Sequence, residues 1–234
     1  MSERRRVVAE IIPFPAARPR APGLGPDPGI GDLRFRALIG EEAWARLPEA
    51  TRARFGKRIS GSAAVVYVGE VVECRISAVG WLLARLGRLI GGPLPLSRDA
   101  DMPACVSVTE DPMFAGQFWT RIYGRRRGFP QVISSSKRFC GPTGLEEQVG
   151  GGFGIALRVE VKGGALHFLS DHYFLLVGGR RLRLPSFLSP GALRVSHIDC
   201  NNGLFAFVLA LRHPWFGELV HQTAMFRERG TGED

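Results

Sequence analysis

Trp119, Arg121 and Tyr123 alternate onto one face of an expected strand, and an arginine between two aromatic rings suits an acid. The guanidinium fork grips a carboxylate or phosphate while the rings supply apolar contact. Glu147 is the carboxylate that competes for it. Paired across neighbouring strands, Arg121 and Glu147 form a structural bridge; otherwise Arg121 anchors a ligand, and the sequence leaves both open. All five histidines, His167, His172, His197, His213 and His221, fall between residues 167 and 221, so a metal or acid–base cluster has to be weighed. His167 and His172 are an odd interval apart, which puts them on opposite faces of a strand. No H-x-H or H-E-x-x-H occurs, and no metal is expected. His197 and Asp199 share a face with Leu193 and Val195, but same-face neighbours stand about 7 Å apart, too far for a direct hydrogen bond. There is no G-x-S-x-G, and Ser134, Ser135 and Ser136 read as a strand edge. The run Gly150, Gly151, Gly152 and Gly154 lacks the spacing of a dinucleotide fingerprint and precedes a strand-like alternation, so no cofactor is expected.

The chain that must position these residues has 234 of them, 45% hydrophobic and 23% charged, which supports a substantial core and excludes global disorder. Four cysteines without C-x-x-C spacing make neither a disulfide scaffold nor a zinc site, and read as reduced thiols. Apolar runs stop at about a dozen residues, short of the roughly 20 that cross a bilayer, and a cytoplasmic location is expected. The net charge of +9 points at first to a polyanionic partner. However, only Lys57, Lys137 and Lys162 are lysines; the arginine bias resembles that of a GC-rich bacterial coding sequence. Arg125, Arg126 and Arg127, like Arg180, Arg181 and Arg183, sit beside expected turns and read as solvated loop charge, with an anion-contacting patch as the alternative. Nucleic acid ranks last as a partner, because no recognition helix or aromatic RNA-binding signature accompanies the charge.

Residues 1–31 hold six prolines and five arginines without periodicity and are expected to be a disordered tail; the single domain runs over 32–230. Short packing helices are expected from Asp32 to about Phe55, and a bulged strand over 62–76. Ser77 reads as an N-cap for an amphipathic helix over 78–90, with Val79, Leu82, Leu83, Leu86, Leu89 and Ile90 on one face, stopped by Gly91, Gly92 and Pro93. After about residue 103 short alternating segments are separated by turns such as Gly163-Gly164, Gly178-Gly179 and Asn201-Asn202-Gly203. Ile155, Leu157, Val159 and Val161 face one way, and Leu204 to Leu211 reads as a central strand covered on both sides. The expected fold class is α+β, mostly β: a curved antiparallel meander of about eight strands, wrapped as a half-barrel or open barrel. The Gly150 to Gly154 run bends it, and the helix packs in the concave side or across its mouth.

Four segments in order, FWTRIYG at 118–124, GLEEQVG at 144–150, RLPSFLSP at 183–190 and HPWFGELVHQTAMF at 213–226, give the chain from about 35 to 228 a resemblance to a bacterial family catalogued as domain of unknown function 4166. Trp119, Arg121, Glu147, Pro185, Pro190 and Gly217 stand where that family has its characteristic residues. Gln148 replaces a usual arginine and His221 an expected tyrosine, so a polar network built on that arginine is altered here. The family is found alone or fused to Rossmann-type domains, so the resemblance implies a dehydrogenase-like or epimerase-like partner protein. It implies no reaction.

The reading that joins these observations is a domain binding a hydrophobic, acidic small molecule, lipid-like or isoprenoid-like. Its expected site residues are Trp119, Arg121, Tyr123, Glu147, Leu82, Leu86, His197 and His221. An enzyme using Arg121, Glu147 and the histidines for acid–base chemistry, and a structural domain without ligand, are the alternatives.

Overall fold

The computed structural model describes residues 31–61 and 63–228. The expected tail lies outside the described residues except for Gly31. Among the described residues the strands are β1 (Ala64–Ile76), β2 (Met102–Asp111), β3 (Gly116–Tyr123), β4 (Gln131–Arg138), β5 (Leu145–Gly150) and β6 (Phe153–Lys162), then β7 (Ala165–Val177), β8 (Arg180–Arg183), β9 (Ala192–Asp199), β10 (Leu204–His213) and β11 (Gly217–Glu228). Consecutive strands pair antiparallel, except that β8 and β9 do not pair. Two further pairings close the ring: β1 with β11, from Tyr67↔Glu228 to Ile76↔Val220, and β7 with β9, over Leu166↔His197 to Leu169↔Arg194. Ten strands thus form a closed barrel, and β8 hangs on the far half of β7 as an eleventh.

The expected half-barrel or open barrel of about eight strands is therefore corrected in both closure and strand number. Closure joins the first strand to the last, a pairing that no local pattern encodes, and it is favoured because it leaves no free sheet edge. The strand count falls short because β4 and β5 point Ser135, Lys137 and Glu147 inward, which blurs their apolar alternation, and β8 has four residues. In a ring no strand is central, so Leu204 to Leu211 is simply one stave, with Phe205, Phe207, Leu209 and Leu211 inward. The glycine run does not bend a sheet. Gly150, Gly151 and Gly152, all at positive φ, make the tight β5–β6 turn.

Both ends are closed by helices. At one, α1 (Arg34–Ile39), α2 (Glu41–Ala45) and α3 (Glu49–Phe55) form a plug. Its centre is Phe35, fully buried and edge-on to Phe55, Phe139 and Phe168 at 5.2, 4.9 and 6.0 Å between ring centroids. At the other end α4 (Ala78–Gly87) and a 3-10 turn (Arg88–Ile90) form a lid. Ser77 caps α4, its hydroxyl accepting from the Gly80 amide at 3.0 Å.

The lid sits close because its contacts are glycines. A Cβ on Gly80 would stand 2.0 Å from the Leu219 carbonyl oxygen of β11, and one on Gly91 2.3 Å from that of Val149 on β5. The residues turned to the barrel wall are thus small, Gly80 and Ala84, whereas Leu82, on the expected apolar face, is exposed. Leu83, Leu86 and Ile90 instead overhang the barrel interior. Alanine at position 80 gains about 1 kcal/mol of helix propensity, but it cannot occupy space held by a strand carbonyl. Gly80→Ala is expected to lift the lid: amide exchange should accelerate over residues 78–90 and stay unchanged in β2 to β4, as read by hydrogen–deuterium exchange.

Candidate functional site

Along the barrel axis the interior has three layers. Nearest the plug is an aromatic layer containing His197, stacked on Phe205 at 4.9 Å and edge-on to Phe55 and Phe207. Burial, reinforced by the nearby Arg54 guanidinium, pushes this imidazole down to about 3, so it is neutral at ordinary pH. Arg54 lies 3.3 Å from Asp199, 3.5 Å from His197 and 4.1 Å from the Phe205 ring centre. The same-face His197 and Asp199 are bridged by an arginine rather than forming a dyad.

The middle layer is charged. Successive inward positions of β3, β4 and β5 bring together Arg121, Ser135, Lys137 and Glu147. Lys137 Nζ lies 2.9 Å from Glu147 Oε2, and Arg121 Nη2 lies 3.3 Å from Oε1. The Ser135 hydroxyl donates to the same Oε1 at 2.6 Å and accepts from Arg121 Nη2 at 2.5 Å. Arg121 and Glu147 do interact, but across an intervening strand rather than between neighbours, and β4 supplies the two residues that fill the gap. Trp119 donates to Gln117 at 3.2 Å and offers its ring to Lys137, as Phe168 does.

Burial alone would raise the Glu147 carboxyl, but Lys137, then Arg121 and the Ser135 hydroxyl outweigh it and hold the group down to about 2. Burial pushes the Lys137 ammonium below its ordinary value, against the pull of Glu147. Two buried cations thus share one carboxylate, and Arg121 Nε is buried without a hydrogen-bond partner.

Above it is an apolar chamber of about 320 Å³, floored by Arg121 and Glu147, walled by Val149, Ile155, Tyr173 and Leu211, and roofed by Leu83, Leu86 and Ile90. Leu86, Leu89 and Leu188 line it yet remain exposed, which places its mouth between the lid and the 3-10 turn Ser186–Leu188. Below the charged layer a void of about 50 Å³ touches Trp119, Arg121, Tyr123 and Lys137.

Of the residues singled out by sequence, Arg121, Glu147 and Leu86 meet at the chamber, while Trp119 and Tyr123, on either side of Arg121 along β3, line the smaller void. Leu82 points to solvent. His197 belongs to the plug end, and His221 lies 3.5 Å from Glu73 and 3.8 Å from Glu218, outside the chamber lining. The histidines do not converge, and the described residues contain no group of three or more potential metal ligands. Sequence reasoning missed Lys137 and Ser135. Their parity with Ile133 was the available signal, obscured by the polar run SSSKR at 134–138.

Removing one member of a buried ion cluster leaves its partner uncompensated, at a cost of about 3–5 kcal/mol, whereas an apolar replacement that restores balance is near neutral. Glu147→Gln should therefore destabilise the fold by about that amount, and Lys137→Met should change it by less than about 1 kcal/mol or stabilise it, both read from urea denaturation. A second expectation concerns acid. The unfolded chain protonates His197 near the ordinary histidine value of about 6.5, while the folded chain resists until about 3. Stability is thus lost as pH falls through that window, at about 1 kcal/mol per pH unit. His197→Gln should flatten the dependence of the denaturation midpoint between pH 6 and pH 4 relative to the native chain.

Comparison with known proteins returned one match. The sequence matches the family described as a domain of unknown function, DUF4166, over residues 47–226, a span that contains the lid and the whole charged layer. Searches of curated proteins and of solved structures gave no match. The resemblance carried by the segments around Trp119, Glu147, Pro185 and Gly217 is thereby shown over most of the chain, and the chain belongs to the DUF4166 family.

Proposed function

We propose that the barrel binds one small amphiphilic acid, its apolar body in the 320 Å³ chamber and its carboxylate or phosphate against Arg121. The observation that carries this reading is the charge imbalance at the chamber floor. Arg121 and Lys137 face one carboxylate, and the Nε of Arg121 has no acceptor. An anionic head group supplies both the missing charge and the missing acceptor, in an environment where each counts for more than in water. The walls select the rest of the ligand: almost every other lining side chain is aliphatic or aromatic, and the volume is at the small end of ligand sites. A lipid-like or isoprenoid-like acid fits both demands. The histidines make no contact with this floor, so the acid–base alternative has no proton-transfer partner among them.

The test is a titration of delipidated protein with dodecanoic acid, followed by displacement of a fluorescent fatty acid, with dodecanol as the comparison. The acid is expected to bind and the alcohol to bind at least tenfold more weakly, because a charge-assisted hydrogen bond is worth about 1.5–3 kcal/mol. Arg121→Gln should reduce acid binding by a similar factor and leave alcohol binding unchanged. Equal affinity for acid and alcohol, or no binding of either together with a bare mass in native mass spectrometry of protein as purified, would reject the proposal.

A further inference from the structure

Both ends of the barrel carry cations, and the larger unpaired group lies at the lid end. At the plug end Arg34, Arg36, Arg46, Arg54 and Lys57 each face a carboxylate, Asp32, Glu41, Glu42, Asp199 and Glu228, while Arg58, Lys162 and Arg227 are exposed without an ion pair among the described residues. At the lid end Arg85, Arg88, Arg125, Arg126, Arg127 and Arg180 are exposed, and none forms an ion pair among the described residues. The acids near this end are fewer than its cations, and Glu70 is exposed opposite Pro103 at the start of β2. Glu73 and Glu218 face Arg75, Asp99 accepts from the Arg126 amide, and Asp101 begins the turn into β2.

The same end carries large apolar side chains that no described element covers. Leu89 of the lid is 85% exposed, Phe129 of the β3–β4 loop 91%, Phe187 of the β8–β9 connection 68% and Trp215 of the β10–β11 turn 75%. They come from four segments far apart in sequence, gathered at one end because β3 and β10 finish there, β9 starts there and the lid crosses it. Apolar side chains gathered this way mark an interaction surface. Their setting identifies the partner. Single bulky side chains at loop tips, with arginines between them, match a bilayer interface, where aromatic and leucine side chains enter below the headgroups and guanidiniums meet lipid phosphates. A second copy of this chain would bring like charge to like charge.

We infer that the lid end docks on the surface of an anionic lipid bilayer, with Leu89, Phe129, Phe187 and Trp215 inserted and the unpaired arginines on the phosphates. The contact is peripheral. Among the described residues no helix is long and apolar enough to cross a membrane. The inference rests on the surface and not on what the chamber holds, although the chamber opens on the same face.

Flotation of the full chain with vesicles tests it. The protein should float with vesicles of phosphatidylcholine containing about 30% phosphatidylglycerol, bind pure phosphatidylcholine at least tenfold more weakly, and be released by salt. Replacing Arg125, Arg126 and Arg127 by serine should weaken binding on the order of a hundredfold, since each basic residue near the surface contributes roughly a factor of five. The double variant Phe129→Ser and Trp215→Ser should weaken it at least tenfold at unchanged net charge. Both variants alter exposed residues, so an unchanged thermal midpoint certifies their folding. No flotation at low salt, or flotation indifferent to the Phe129 and Trp215 substitutions, overturns the inference; the second result marks a nonspecific polycation. Saturable binding to an acidic protein with no vesicle binding also overturns it. Arg121→Gln separates the two proposals: it should abolish the preference for fatty acid over alcohol and leave flotation intact.

Discussion

Glu147 is held ionised in the middle of a closed barrel by Lys137, Arg121 and Ser135, and the other layers of the interior follow from that arrangement. A buried carboxylate between two cations is tolerated only where neighbouring strands hold all the partners in register, because desolvation costs several kcal/mol per ion. The consecutive antiparallel strands β3, β4 and β5 provide that register. A ring of backbone hydrogen bonds then holds those strands without a free edge. The cluster also divides the interior into an aromatic half packed by the plug and an aliphatic half left hollow beneath the lid.

The two closures are built from opposite side-chain choices. The plug fills space with phenylalanines, and the gap left there is about 10 Å³. The lid leaves space because its contact residues are glycine and alanine, which seat the helix on strand backbone and keep leucines overhanging the chamber. A tight seat on β11 and β5 with bulk only in between makes a roof rather than a stopper. Differences in residue size along a single helix thus decide which half of the barrel is solid.

Much of this was legible in the sequence. The N-cap at Ser77, the glycine and asparagine turns, the inward alternation of Ile155 to Val161 and the facing of Trp119, Arg121 and Tyr123 all follow from local periodicity and turn chemistry, and the structure has them. Ring closure was not legible, because β1 meets β11 across more than 140 positions of sequence. The charged layer was half legible: Arg121 and Glu147 stood out as an arginine and a carboxylate on expected strands, whereas Lys137 lay in a polar run that resembles a solvated edge. The orientation of the lid was misleading. Its leucine stripe looked like the buried face, but close approach to a strand carbonyl favours the smallest residues, and so the helix turns Leu82 outward.

The seam between β7 and β9 is only four residue pairs long, and β7 spends the rest of that edge on β8, so the chain makes a detour through residues 178–191 before rejoining the wall. Leu188 and Pro190 of that detour line the hollow, while its ends are tied by hydrogen bonds such as Tyr173 to Gly191. Lengthening or trimming the excursion would resize the compartment without breaking a rung of the surrounding hoop. Capacity and foldability are therefore separate in this architecture: one surface stretch sets the size of the hollow, and the girdle that makes the chain fold does not depend on it.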